Sequence, residues 1–90
     1  MRPLDPTNRF KKDFQRRIAG TAVEAEFAAL LELLAGFDPL PAQFDDHPLR
    51  GAWQGCRDCH LRGDMVVIYR RTPTRIVLYR VGTHRDLFGR

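Results

Sequence analysis

Lysine is missing from the second half of this chain of 90 residues. Residues 41–90 hold nine arginines against five aspartates, whereas residues 1–40 balance six basic side chains with six acids. The whole excess of +4 therefore falls in the second half. Other absences narrow the class. No apolar run approaches the roughly 18 residues that cross a bilayer, so neither a membrane-spanning helix nor a membrane partner is expected. The start, Met1-Arg2-Pro3-Leu4-Asp5-Pro6, lacks the apolar core of a signal peptide. A cytoplasmic location is expected, and the only two cysteines, Cys56 and Cys59, should be reduced there. There is no internal repeat and no low-complexity segment.

What remains is ordinary for one soluble domain spanning residues 1–90 with a small core: 43% hydrophobic and 29% charged residues. A surplus made of arginine points to a polyanion, because the guanidinium forks onto phosphate. A solvated basic face, or a docking surface for an acidic protein, would look the same in composition.

The first half has helical spacing. Thr7 or Asn8 can cap a helix to about Ala19, with Phe10, Phe14 and Ile18 on one side, and Gly20 ends it. Thr21-Ala22-Val23-Glu24 has the capping-box pattern. The predicted helix from Ala22 to Ala35 aligns Val23, Phe27, Leu30, Leu31 and Leu34, and Gly36 stops it. Prolines at 39, 41 and 48 make the segment from Phe37 to Gly55 a long connector, of the kind that usually carries function. Strands are predicted at Cys56–Leu61, Met65–Arg70 and Arg75–Val81, with turns at Arg62-Gly63 and Thr72–Thr74. A short strand near Arg2–Asp5 is weakly signalled between Pro3 and Pro6. The resulting class is α+β, a helix hairpin on a small antiparallel sheet in the order β-α-α-β-β-β.

Cys56-Arg57-Asp58-Cys59-His60 matches the C-x-x-C-H attachment pattern for a c-type haem. It falls on a predicted strand, where residues three apart face opposite ways. That disfavours a shared ligand, a disulfide and a zinc site, and no second cysteine pair completes a zinc set. No cofactor and no metal are expected. The three histidines, His47, His60 and His84, also lie in the arginine-rich half. Imidazole titrates near neutral pH and serves as base or acid. RNA cleavage needs one of each, for the 2′-hydroxyl and the departing 5′-oxygen, and arginines can neutralise the charge on phosphorus.

The run Asp46-His47-Pro48-Leu49-Arg50-Gly51-Ala52-Trp53-Gln54-Gly55-Cys56-Arg57-Asp58-Cys59-His60, then Asp64, Ile68-Tyr69-Arg70 and the ending Gly82-Thr83-His84-Arg85-Asp86-Leu87-Phe88-Gly89, resembles the YafQ branch of the RelE/ParE toxin superfamily. Phe10-Lys11-Lys12-Asp13 is similar to the start of that family's first helix. The resemblance implies a RelE-like fold whose concave sheet accepts mRNA in the ribosomal A site. It implies a type II toxin, a ribosome-dependent mRNA endonuclease restrained by a cognate antitoxin of DinJ/RelB-like kind. The family's active-site positions match His47, His60, Asp64, His84 and Phe88. His84 and Asp64 are expected to transfer protons, with His60 and His47 orienting the phosphate or sharing that work. Phe88 is expected to stack on a nucleotide, though packing of the tail explains it equally well. Arg57, Arg62, Arg80 and Arg85 are the candidate RNA contacts. Met65 departs from the family, which commonly has tryptophan there, and a methionine covers a base less well than an aromatic. Trp53 and Tyr69 are assigned to core or loop anchoring. A binding-only toxin of the same fold, acting on gyrase, would not need the histidines and Asp64 together. A general RNA-binding module would show more strand aromatics than Tyr69 and Tyr79.

Overall fold

The computed structural model describes residues 1–89. A short strand β1 (Leu4–Pro6) leads into α1 (Asn8–Arg17) and α2 (Glu24–Ala35). The chain then crosses the far side of the sheet through two single-turn 3₁₀ segments and β2 (His47–Pro48). It returns as β3 (Arg57–His60), β4 (Met65–Arg71) and β5 (Ile76–Thr83), and closes with α3 (His84–Phe88). The sheet order is β1-β5-β4-β3-β2. The β2–β3–β4–β5 part is antiparallel, but β1 pairs parallel to β5, so the sheet is mixed rather than wholly antiparallel. No helix among the described residues is long and apolar enough to cross a membrane.

Thr7 caps α1 as expected, its hydroxyl oxygen accepting from the Phe10 amide at 3.0 Å. The box expected at Thr21 does not close. The helix begins later, after Val23, and the Thr21 hydroxyl instead donates to the Ile18 carbonyl at 2.7 Å. Glu24 still reaches back, accepting from the Gly20 amide at 2.9 Å. The α2 C-terminus is satisfied from the sheet: Arg71 donates to the Leu33, Leu34 and Gly36 carbonyls at 3.0–3.1 Å.

Alternation along β4 explains why its run Val66–Tyr69 is buried on both faces. Val67 and Tyr69 join Phe10, Ile18, Phe27, Leu30 and Leu34 under the helices. Val66 and Ile68 face the other way, covered by Leu87 and by the half-buried Leu49, Trp53, Cys56, Tyr79 and Phe88. The end of the connector, from Leu49 to Cys56, and α3 are thus the cover of the second face, while Leu40 and Phe44 of the same connector pack on the helix-side core. The C-x-x-C-H pattern is divided between the faces, with Cys59 in the helix-side core and Cys56 against the other cluster. Burial raises both thiols above their ordinary pKa.

Helix α3 was not anticipated, although Thr83-x-x-Asp86 has capping-box spacing. The Thr83 hydroxyl accepts from the Asp86 amide at 3.1 Å, and the Asp86 carboxylate accepts from the Thr83 amide at 3.0 Å. Asp86 also accepts from Arg17 at 2.6 Å, tying α3 to α1. A β-carbon on Gly82 would sit 2.9 Å from an Asp86 oxygen, so this approach requires glycine. The Arg17 hydrogen bond, with help from Thr83, lowers the Asp86 pKa to about 2 against burial. The stabilisation from this depressed pKa is present above the unfolded-state value near 4 and is lost as pH falls through about 2. Asp86→Asn is expected to cost about 2 kcal/mol at pH 7. Urea titrations from pH 7 downward check this: the gap to wild type should close as pH approaches 2.

Candidate active site

The site is assembled on the face of the sheet away from α1 and α2. His60 lies on β3 opposite Val66, and Asp58, two residues earlier on the same strand, shares its face. Strand β2 brings His47 into register with Asp58. The β3–β4 turn carries Asp64, and α3 begins at His84. The His47 and His60 ring centroids are 5.9 Å apart, His60 and His84 are 5.3 Å apart, and His84 and Phe88 are 5.9 Å apart. Three imidazoles and a phenyl ring therefore form one row. A cleft of about 230 Å³ is lined by His47, Leu49, Asp58, His84 and Phe88.

Each imidazole has a distinct environment. His84 hydrogen-bonds through Nδ1 to the Asp64 carboxylate, which turns Nε2 away from that partner. His47 donates Nδ1–H to the Asp45 carbonyl at 2.8 Å, and its Nε2 stands 3.0 Å from Asp58 Oδ1. The Asp58 contact is ionic in distance but misaligned for a hydrogen bond, because Oδ1 has no hydrogen-bond partner. His60 Nε2 is buried without a partner, 3.8 Å from both Asp58 Oδ1 and Asp45 Oδ2.

Asp58 is the residue that sequence reasoning missed. It is 3% exposed, the only buried charged side chain among the described residues. Burial raises its pKa, while His47, His60 and His84 draw it back down. Its signal was the two-residue spacing from His60 on a predicted strand. The C-x-x-C-H pattern drew attention to its neighbours instead.

The structure redistributes the arginines. Arg57 is forked onto Asp46 at 3.1 and 3.2 Å, and Asp46 also accepts from the buried Tyr69 hydroxyl. Arg62 is paired with Glu26 of α2. Arg80 is forked onto Asp13 of α1 at 2.6 and 3.2 Å, with both side chains 12% exposed, so it is a fastening rather than an RNA contact. Of the four candidates, only Arg85 is exposed with no acidic partner among the described residues. Two arginines of the second half that were not singled out share that condition. Arg50 lines a groove of about 500 Å³ with Trp53, Leu87 and Phe88, next to the histidine row. The Arg70 guanidinium lies by Gly55. Arg90 falls outside the described residues. Met65 is corrected as well. It packs half-buried against the helix-side core and is not presented to the histidine row, so it does not cover a base there. Trp53 lies 6.2 Å from Tyr79 in the second cluster, an anchor for the connector as expected.

This arrangement offers imidazoles that can exchange protons, a carboxylate holding one of them, an aromatic edge and unpaired guanidinium groups nearby. A family model described as "Bacterial toxin of type II toxin-antitoxin system, YafQ" matches residues 2–89. The mRNA interferase toxin YafQ of Escherichia coli strain K12 is 49% identical over 51 residues, which are 57% of this chain and 55% of that protein. The match thus spans about half the length of that relative. The fold is similar to the crystal structure of a YafQ mutant from E. coli, with a TM-score of 0.84 at 34% identity over 99% of this chain and 100% of that one. It is also similar to the E. coli DinJ–YafQ toxin–antitoxin complex, with a TM-score of 0.81 at 36% identity over 98% of each chain.

Proposed function

This chain belongs to the YafQ family of bacterial type II toxins, and from that premise we propose that it is a ribosome-dependent mRNA endonuclease restrained by a cognate antitoxin of DinJ/RelB-like kind. The observation that carries this reading is the row His47–His60–His84 beside Asp64 on one sheet face. In the proposed reaction a base removes the proton of a 2′-hydroxyl, and the 2′-oxygen attacks the adjacent phosphorus. The bond from phosphorus to the 5′-oxygen breaks, and an acid protonates that oxygen. The products are a 2′,3′-cyclic phosphate and a 5′-hydroxyl. His84, oriented by Asp64, and a second imidazole divide the two proton transfers. His60 and His47 hold the phosphate, Arg85 offsets its charge, and Phe88 stacks on a flanking base.

The test is cleavage of one mRNA in a reconstituted translation mixture and in the same buffer without ribosomes, with product ends mapped. Cuts that appear only during translation, ending in cyclic phosphate, support the reading. Equal cutting without ribosomes overturns the ribosome dependence. Growth arrest with intact mRNA overturns the nuclease itself and favours a toxin that acts by binding.

A further inference from the structure

The cleft at the histidine row shares two walls with a second, larger groove. Leu49 and Phe88 line both the cleft of about 230 Å³ and the neighbouring groove of about 500 Å³. Arg50, Ala52, Trp53 and Leu87 complete the groove. Its volume falls within the roughly 300–1,000 Å³ typical of small-ligand sites. Arg50 is its only charged lining residue, so no carboxylate of the groove competes for the guanidinium. That side chain is exposed and has no acidic partner among the described residues. The loop that presents it is closed on itself. The Leu49 amide donates to the Cys56 carbonyl at 2.9 Å, and the Cys56 amide donates to the Trp53 carbonyl at 3.0 Å. Gly51 and Gly55 supply its two left-handed bends, at φ 67° and 93°. Trp53 is seated on the sheet against Tyr79, with ring centroids 6.2 Å apart. The Arg50 backbone and the indole are therefore set beside Phe88, whose own ring lies 5.9 Å from His84.

We infer that this groove is a second nucleotide subsite, in which Arg50 holds the phosphate, and Trp53 and Phe88 take the base, of a nucleotide adjoining the scissile bond. The parts match that ligand and little else. A guanidinium forks onto phosphate oxygens. Every base has a face that can rest on an aromatic ring, whatever the sequence. The shared walls set the path. A strand whose scissile phosphate lies at His84 passes over Phe88 and enters the groove with its next nucleotide. The histidine row then performs the chemistry, while the Arg50 contact fixes where along the strand it falls, because phosphate contacts position a strand rather than read it. The identity of the strand rests on the nuclease reading above; occupancy of the groove is measured without cleavage.

Trp53 is the chain's only tryptophan, so its emission reports on this groove. The full chain is titrated at low salt with a short 2′-O-methyl oligonucleotide, which has no 2′-hydroxyl and cannot be cut. Fluorescence anisotropy of a label on the oligonucleotide follows total binding in parallel. Saturable binding that changes Trp53 emission is expected. Arg50→Gln should weaken it about tenfold, the worth of one charge-assisted contact. The same substitution should lower the slope of log affinity against log salt by about 0.7, the share of one single-strand phosphate. Arg9→Gln, which removes an equal charge from exposed α1 on the helix side, should change neither. A polyglutamate peptide, which has the charge but no bases, should leave Trp53 emission unmoved. Absence of saturable binding, binding without a Trp53 response, or equal losses in Arg50→Gln and Arg9→Gln overturns the subsite. So does unchanged binding by Arg50→Gln. An equal Trp53 response to polyglutamate overturns the nucleotide as occupant and favours an acidic protein. A chain that passes these tests but never cuts mRNA during translation defeats the nuclease reading alone.

Discussion

Replacing His84 with alanine is expected to lower mRNA cleavage about 10²–10⁴-fold, the usual worth of a positioned general acid or base. The reason lies in its position in the row. It is the imidazole held by a carboxylate of its own, and it stands between His60 and Phe88. It is also the first residue of a helix whose cap is built by Thr83 and Asp86, so removing the ring leaves the cap intact. Its side chain is 41% exposed. The stability cost should therefore stay within about 0.5 kcal/mol, as for other surface substitutions. Activity and stability are predicted to separate, and a melting curve beside the cleavage rate shows whether they do. A folded His84→Ala protein that cuts at the wild-type rate would remove His84 from the mechanism. Asp64→Asn is expected to give a smaller loss, because the amide can still contact the ring but offers no charge to an imidazolium.

The second large effect concerns stability. Arg80→Ala is expected to destabilise the fold by about 3 kcal/mol, because it leaves the largely covered Asp13 charge without its partner. Asp13 would keep only the Val81 amide at 3.2 Å. A loss of that size takes a large share of the roughly 5–15 kcal/mol that holds a small domain together. Arg62→Ala is the contrast. Its pair with Glu26 is 58% and 42% exposed and should contribute no more than about 1 kcal/mol. Urea unfolding of the two variants separates the cases, and near-equal midpoints would show that the Arg80 pair is worth no more than a surface contact. A replacement of Asp13 and Arg80 together by leucine and methionine should recover much of the loss, since apolar residues of similar volume often substitute well for a buried pair.

These two residues mark how far the site could be read from the chain. Histidine and arginine were both conspicuous by type. The histidines converged because alternation on β3, pairing with β2 and the start of α3 all deliver them to one face. The arginines did not, because a guanidinium serves equally well on a phosphate, a carboxylate or a helix end. Arg57, Arg62 and Arg80 found carboxylates on other elements, and Arg71 found the carbonyls of α2. No local pattern announces a partner 67 residues away, as Asp13 is from Arg80. Asp58 was hidden for a related reason. Its importance comes from burial under imidazoles contributed by three separate elements.

The sequence by itself determined the helical hairpin, the β-rich second half and the residue types of the candidate site. Hydrophobic period and turn chemistry act over a few residues and need no partner. Tertiary structure alone decided which cations remain free, where Met65 points, that residues 49–56 cover the second face, and that Asp58 lies beneath the histidines. Each depends on which distant groups become neighbours, and burial turns those neighbours into partners because an unpaired charge away from water is costly.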